Sequence, residues 1–236
     1  MYKIDTKVRY SECGEDGKIR LASIVNHFQD STSVHSESLG VGMDYLKEKK
    51  RAWFLNFWQI VVKRYPKVHE EIEITTWPTG FKGAFGPRNF CMKSSDGDML
   101  AYANTLWVYM DVENGMPTRP SQEEKDIYGQ EPPLEMEYAP RKIKMPEDAS
   151  VVDTMTVRKY HIDTNGHMNN SQYVQMAAEV LPETFVINEL RVEYKKSAMY
   201  GNQMVIKRAI EKERIVVELC DAEDVPYAVV EFIGEQ

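Results

Sequence analysis

Five side chains equipped for polar chemistry fall within eight positions of one another. They are Asp163, Asn165, His167, Asn169 and Asn170, in the run "DTNGHMNN". A carboxylate takes a proton from water or attacks carbon itself. An imidazole titrates near neutral pH and carries protons there. An amide holds a carbonyl oxygen or a water molecule through hydrogen bonds. The set suits proton transfer at a carbonyl centre, with Asp163 as base or nucleophile and His167 as polariser or proton carrier. Asn165 would hold the carbonyl or the attacking water. The same residues also suit an Asp-x-x-Gly turn that runs into an asparagine cap.

A helix must position such a set. Tyr173, Met176, Ala177 and Val180 follow the i, i+3, i+4, i+7 spacing of one apolar helix face. Asn169 or Asn170 stands where that helix begins, and asparagine is a preferred N-cap. The first turn of a helix offers unpaired N–H groups and the positive end of a dipole. Aimed at a carbonyl oxygen, these make an oxyanion hole. Gly166 lets the turn adopt positive φ.

The chain repeats this arrangement. "VRYSECGEDGKIRLASIVNHF" from Val8 lies over "VRKYHIDTNGHMNNSQYVQMA" from Val157 without a gap, so Gly17 meets Gly166 and Ile19 meets Met168. "NFCMKSSDGDMLAYANTLWVYM" and "RIVVELCDAEDVPYAVVEFIGE" both read as two strands joined by an acidic turn. Leu21, Ile24, Val25 and Phe28 give the first half its own apolar helix face. Each helix is followed by β-rich segments, which predicts two α+β units, each a helix wrapped by a curved antiparallel sheet. The proline-rich, acidic stretch between the halves reads as a connection. The expected organisation is a first domain at 1–119, a linker at 120–150 and a second domain at 151–236. In the first half Gly14, Asp16 and Lys18 stand where the second has Asp163, Asn165 and His167, so only the second half is expected to carry chemistry.

Bulk properties narrow the function. The 236 residues include 42% hydrophobic and 28% charged side chains, with a net charge of −8. That balance argues against a general nucleic-acid binder or a basic membrane-surface protein. There is no run of 18 apolar residues to suggest a membrane span, and the first residues lack an apolar signal core, so the expected location is the cytoplasm. Cys13, Cys91 and Cys220 are odd in number and far apart, which argues against a disulfide framework or a zinc site. His27, His35, His69 and His161 are scattered and suggest no role.

The pattern D-x-N-x-H-x-N-N-x-x-Y from Asp163 resembles the acyl-acyl carrier protein thioesterases. So do "RAWFLNFWQIVVKRYP", "TTWPTGFKGAFGPRNF" and "LAYANTLWVYMDVENGMPTRP" in the first half. The resemblance spans nearly the whole chain and implies a double (tandem) hotdog fold. It implies hydrolysis of a fatty acyl thioester on acyl carrier protein, using water, with no metal and no organic cofactor. It places the catalytic groups at Asp163, Asn165 and His167. One departure stands out. After the run Glu193-Tyr194-Lys195-Lys196 the family commonly carries Glu, and its plant members Cys after it; here Ser197 and Ala198 follow. Asp163 is then left as the reactive carboxylate. Glu179, on the second helix, reads as a solvated carboxylate. Trp53, Phe57, Trp77 and Phe85 are candidates to line an acyl pocket. Lys63, Arg64, Lys67, Lys82, Arg88, Arg191, Lys195 and Lys196 are candidates for docking an acidic carrier protein. Two hotdogs in one chain suit a monomer or a homodimer. An acyl-coenzyme A thioesterase and a non-catalytic acyl-binding protein are the competing readings.

Overall fold

The structure, a computed structural model, describes residues 1–235, which fall into two compact units. The first comprises Met1–Asn56 and Lys63–Tyr138; the second comprises Phe57–Val62 and the chain from residue 139 onward.

The first unit holds β1 (Tyr2–Lys7), α1 (Leu21–Ser38), α2 (Met43–Glu48) and the opening half of β2 (Arg51–Val62). It continues through β3 (Glu71–Pro78), β4 (Phe85–Ser94), β5 (Met99–Asp111), β6 (Met116–Pro117) and α3 (Gln122–Tyr128). Antiparallel pairing runs β1 to β3 to β4 to β5, with β6 on β5. α1 lies against β1 and β3. The expected face is the buried one: Ile24, Val25 and Phe28 are 0% exposed. Phe28 meets Phe90 of β4 with ring centroids 5.1 Å apart.

The second unit holds β7 (Ser150–Thr156), α4 (Asn170–Ala178), β8 (Val186–Tyr194), β9 (Gln203–Glu211), β10 (Arg214–Cys220) and β11 (Pro226–Glu235). Its antiparallel order is β2 (through Phe57 to Val61), β8, β11, β10, β9, β7. α4 packs on β10 and β11, burying Tyr173, Val174, Met176 and Ala177. The helix ends at Ala178, before Val180, although the periodicity extends further. Pro182 disfavours helical backbone at the residue before it and removes a donor. The Val180 carbonyl accepts a hydrogen bond from the Arg208 guanidinium instead.

The gapless overlay holds in detail. Tyr10–Glu12 and Lys159–His161 are matching 3-10 turns. Arg20 caps α1 at the position where Asn169 caps α4. Cys13 bridges Ile19 as Ile162 bridges Met168. Gly17 and Gly166 take φ of 72° and 77°, which glycine adopts without steric cost. Both acidic-turn hairpins form, β4–β5 and β10–β11, each with a register shift close to its turn.

Residues 120–150 contain α3 and two fastened stretches. In the first unit Trp77 Nε1 donates to the Pro132 carbonyl at 3.0 Å, and the Leu134 N–H donates to Asn89 Oδ1 at 3.0 Å. In the second the Ala139 N–H donates to Gln59 Oε1 at 2.9 Å, and the Ile143 N–H to Glu193 Oε2 at 3.2 Å. Arg191 binds the Pro140 carbonyl while pairing with Glu231. Ile143 packs on Val216 and Val229. Prolines cannot supply a ladder of N–H donors, so sheet side chains take the backbone groups of this segment.

Candidate active site

The turn before α4 is built from its backbone. The Asp163 N–H donates to the His167 carbonyl at 2.8 Å, and the Gly166 N–H to the Asp163 carbonyl at 3.1 Å. Asp163 Oδ1 then accepts the N–H of Asn165 at 2.8 Å and of His167 at 3.2 Å. The turn thus gathers the Asp163 carboxylate against the backbone of the other two predicted residues. Asp163 and His167 are half-buried, and Asn165 is exposed.

The first half is an internal control. There the Gly14 N–H bonds the Lys18 carbonyl at 2.9 Å, and the Gly17 N–H bonds the Gly14 carbonyl at 3.0 Å. The same turn closes with no side chain at the position of Asp163. Its carboxylate comes instead from Asp16, whose Oδ1 accepts the Lys18 N–H at 3.0 Å, so the halves differ in which position of the turn carries the acid.

At the start of α4 the Asn169 side chain accepts the Ser171 N–H at 3.0 Å and the Ser171 hydroxyl at 3.1 Å. The Gln172 N–H bonds the Asn169 carbonyl at 2.9 Å. The cap therefore occupies two N–H groups that the sequence offered to an oxyanion hole. Asn170 is the first helical residue, and its carbonyl accepts the Tyr194 hydroxyl at 2.9 Å.

The positions of the missing Glu and Cys are unequal. Ser197 is exposed, whereas Ala198 is fully buried. The Ala198 N–H donates to the Tyr173 hydroxyl at 2.8 Å, and its carbonyl accepts the Met168 N–H at 2.9 Å. Tyr173 is the residue that spacing presented only as a core position. Burial pushes its phenol up to about 12, and the nearby Asp163 charge adds to that push. Glu179 is exposed beyond the end of α4.

The four aromatic residues proposed for an acyl pocket have different surroundings. Trp53 sits in a cluster with Phe81, Tyr109 and Tyr128, at centroid distances of 6.2, 4.6 and 6.3 Å. A Cβ on Gly86 would meet the Trp53 ring at 3.0 Å, so the glycine makes room for it. Trp77 is tied to Pro132 and borders a shallow cavity of about 420 Å³ with Cys91, Met99 and Leu134. Phe85 is 37% exposed, and Phe57 belongs to the second unit. The intervals that alternate along strands do not reveal which aromatics from separate strands meet.

Two of the cations proposed for docking lie inside. Arg191 is 9% exposed and paired with Glu231; Arg88 is 5% exposed. Arg88 Nη1 lies 3.1 Å from both His35 Nδ1 and Thr76 Oγ1. No carboxylate among the described residues pairs with it, and burial lowers its pKa to about 10. His35, buried beside that guanidinium, is lowered to about 4. The three cysteines are free and buried. Glu218, Cys220 and Asp224 lie close enough to share a cation, but the ammonium of Lys207 already pairs with Asp224 and Glu218. No helix among the described residues is long and apolar enough to cross a membrane.

Two helix-on-sheet units joined in one chain define a double hotdog protein. The chain belongs to the acyl-ACP thioesterase family: residues 1–128 match its N-terminal domain and 144–224 its C-terminal domain. It is 26% identical over 210 residues to the chloroplastic palmitoyl-acyl carrier protein thioesterase of Gossypium hirsutum, covering 80% of this chain and 50% of that protein. The chain spans about half the length of the curated relatives it matches. An acyl-ACP thioesterase from Bacteroides thetaiotaomicron superposes with a TM-score of 0.89 at 21% identity, covering 99% of this chain and 97% of the other. The 12:0-ACP thioesterase from Umbellularia californica superposes with a TM-score of 0.88 at 18% identity, covering 99% and 96%. These similarities bear out the tandem hotdog expectation.

Proposed function

We propose that this chain hydrolyses fatty acyl-acyl carrier protein thioesters to free fatty acid and carrier protein, ending chain elongation. One observation carries the reading. Both halves build the same turn, and only the second adds Asp163, Asn165 and His167 to it. The family membership and the relatives' named activities support the substrate class.

The chemistry falls to the half at 151–236. The Asn165 amide, exposed on the turn, holds the thioester oxygen as it gains charge. The Asp163 carboxylate, aligned through Oδ1, attacks the carbonyl or takes the proton of an attacking water. A carbon–oxygen bond forms, the carbon–sulfur bond breaks, and the leaving thiolate gains a proton, with His167 as its carrier; where Asp163 is the attacking group, water then opens the resulting anhydride, releasing the fatty acid and restoring the carboxylate. The aromatic cluster around Trp53 supports an acyl-binding task for the half at 1–119. Three free, buried cysteines suit a reducing compartment, and we assign the activity to the cytoplasm.

Thiol release from matched acyl-carrier-protein and acyl-coenzyme A substrates tests the reading. The expected result is turnover with kcat/KM at least tenfold higher on the carrier protein, about 1.4 kcal/mol of discrimination. Equal or reversed preference would favour a coenzyme A thioesterase. Tight binding without thiol release would favour an acyl-binding protein. After a single turnover in heavy-oxygen water, label in the Asp163 carboxylate marks a nucleophile; where the label is in the fatty acid alone, trapping of an acyl-enzyme with hydroxylamine separates a nucleophile from a base.

A further inference from the structure

Two buried tyrosines fasten the turn that carries Asp163 and His167. The Tyr173 hydroxyl accepts the Ala198 N–H at 2.8 Å, and the Ala198 carbonyl accepts the N–H of Met168, the residue after His167, at 2.9 Å. The Tyr194 hydroxyl donates to the carbonyl of Asn170, where the helix begins, at 2.9 Å. Both ends of the segment from Met168 to Asn170 are thereby tied to tyrosine hydroxyls. The two rings meet edge to face, with centroids 5.6 Å apart at 78°. Tyr173 is 2% and Tyr194 9% exposed, so neither hydroxyl is held by bulk water.

The first half shows that the fold does not need them. There the Ile19 N–H bonds the Pro66 carbonyl at 2.9 Å, so Pro66 stands where the second half has Ala198. Proline has no N–H to satisfy. The overlay puts Ile24 at the position of Tyr173, and Val62 stands four residues before Pro66 as Tyr194 stands four before Ala198. Ile24 is 0% and Val62 4% exposed. Isoleucine, valine and proline thus stand at the matching positions where Asp163 and His167 have no counterpart. Two tyrosines and the Ala198 N–H, which donates to one of them, stand where they are present. A buried hydroxyl without a partner is destabilising, so the Tyr173 hydroxyl and the Ala198 N–H form a matched set.

We infer that Tyr173 and Tyr194 are positioning residues for thioester hydrolysis, holding the Asp163–His167 turn fixed against the start of α4. This rests on the functional reading above. The tyrosine ties hold the C-terminal side of the turn, and the Asn169 N–H bonds the His161 carbonyl at 2.8 Å across its base. A misplacement of about 1 Å in reacting groups costs on the order of 100-fold in rate.

The test compares Tyr173→Phe, Tyr194→Phe and the double variant Tyr173→Ile/Ala198→Pro, which copies the first half. Each is assayed for kcat and KM on one acyl-carrier-protein substrate, for the pH dependence of kcat, and for amide exchange along the chain. Removing either hydroxyl should lower kcat by roughly 10–100-fold with KM changed less than about twofold. It should displace the acidic limb of the pH profile and speed exchange at residues 163–170 while leaving β10 and β11 unchanged. The double variant should stay folded, with slow exchange in those strands, and lose kcat to the same degree. A folded double variant with wild-type kcat overturns the inference. So does a Tyr173→Phe enzyme whose kcat and pH profile are those of the wild type. So does a loss of kcat matched by faster exchange throughout the second unit, because that marks a general structural role. Failure of the functional reading shows separately, in wild-type protein that releases no thiol before any variant is made.

Discussion

Asp163 holds two relations to the turn, and they separate cleanly. Its backbone closes the loop, as Gly14 does in the first half, and its Oδ1 adds two bonds from backbone N–H groups. Asparagine keeps an oxygen in place to accept those bonds but cannot take a proton at neutral pH or attack as a carboxylate. Asp163→Asn should therefore change stability by less than about 1 kcal/mol, the scale of one net hydrogen bond. It should lower kcat on an acyl-carrier-protein substrate by roughly 10²–10⁴, the range for a lost general base. Urea unfolding and a thiol-release assay on the same preparation measure both. Near-wild-type turnover in a folded variant would remove Asp163 from the chemistry. The type and spacing of Asp163, Asn165 and His167 were visible in the sequence, because a turn brings near neighbours together. Tyr173 and Tyr194 were not visible as partners of that turn. Their hydroxyls reach across 25 and 24 residues of chain respectively, and at helix and strand spacing a tyrosine reads as core.

At the scale of elements, periodicity located what local forces decide. The i, i+3, i+4, i+7 face of α1 is the buried face, and both acidic-turn hairpins form where alternation ended at an acidic turn. What periodicity overstated was the length of α4, which Pro182 shortens. The proline-rich middle of the chain read as a connection because proline and acid fit no regular element. Its backbone groups are nevertheless claimed by Trp77, Asn89, Gln59 and Arg191, long-range partners that composition does not announce. The weight of the helix face is measurable. Phe28 is 0% exposed, lies on α1 and contacts Phe90. Phe28→Ala should cost about 3–5 kcal/mol through lost transfer energy and the cavity left behind. The check is the urea midpoint at unchanged slope. A loss under about 1 kcal/mol would mean that α1 does not anchor its sheet.

For the whole molecule, the repeat was the most informative single reading, because one overlay aligned the starts of both helices and set Gly14, Asp16 and Lys18 against Asp163, Asn165 and His167. It could not predict where the halves diverge inside, and the histidines are the clearest case. His35 is 5% exposed and bonded to the buried Arg88, and burial with that neighbouring charge lowers its pKa to about 4. His161 is 4% exposed and is lowered by burial first and by Arg158 second. Both groups refuse a proton in the folded chain that the unfolded chain accepts near 6.5. A depressed histidine pKa therefore leaves stability intact above about 6.5 and removes it as pH falls toward the folded value. For His35 that window runs from about 6.5 down to about 4, and the loss at its foot is roughly 3 kcal/mol. Carboxylates held low by their partners, such as Glu70 beside Arg64 and Asp221 beside Lys196, add their own losses at still lower pH. Stability by urea unfolding should thus fall between pH 7 and pH 5, before most carboxylates titrate. His35→Asn, whose side-chain oxygen is placed to accept the Arg88 N–H in place of Nδ1, should flatten that slope and leave the remainder to His161. If the variant and the wild type lose stability in parallel across that interval, His35 is not the group whose proton the fold excludes.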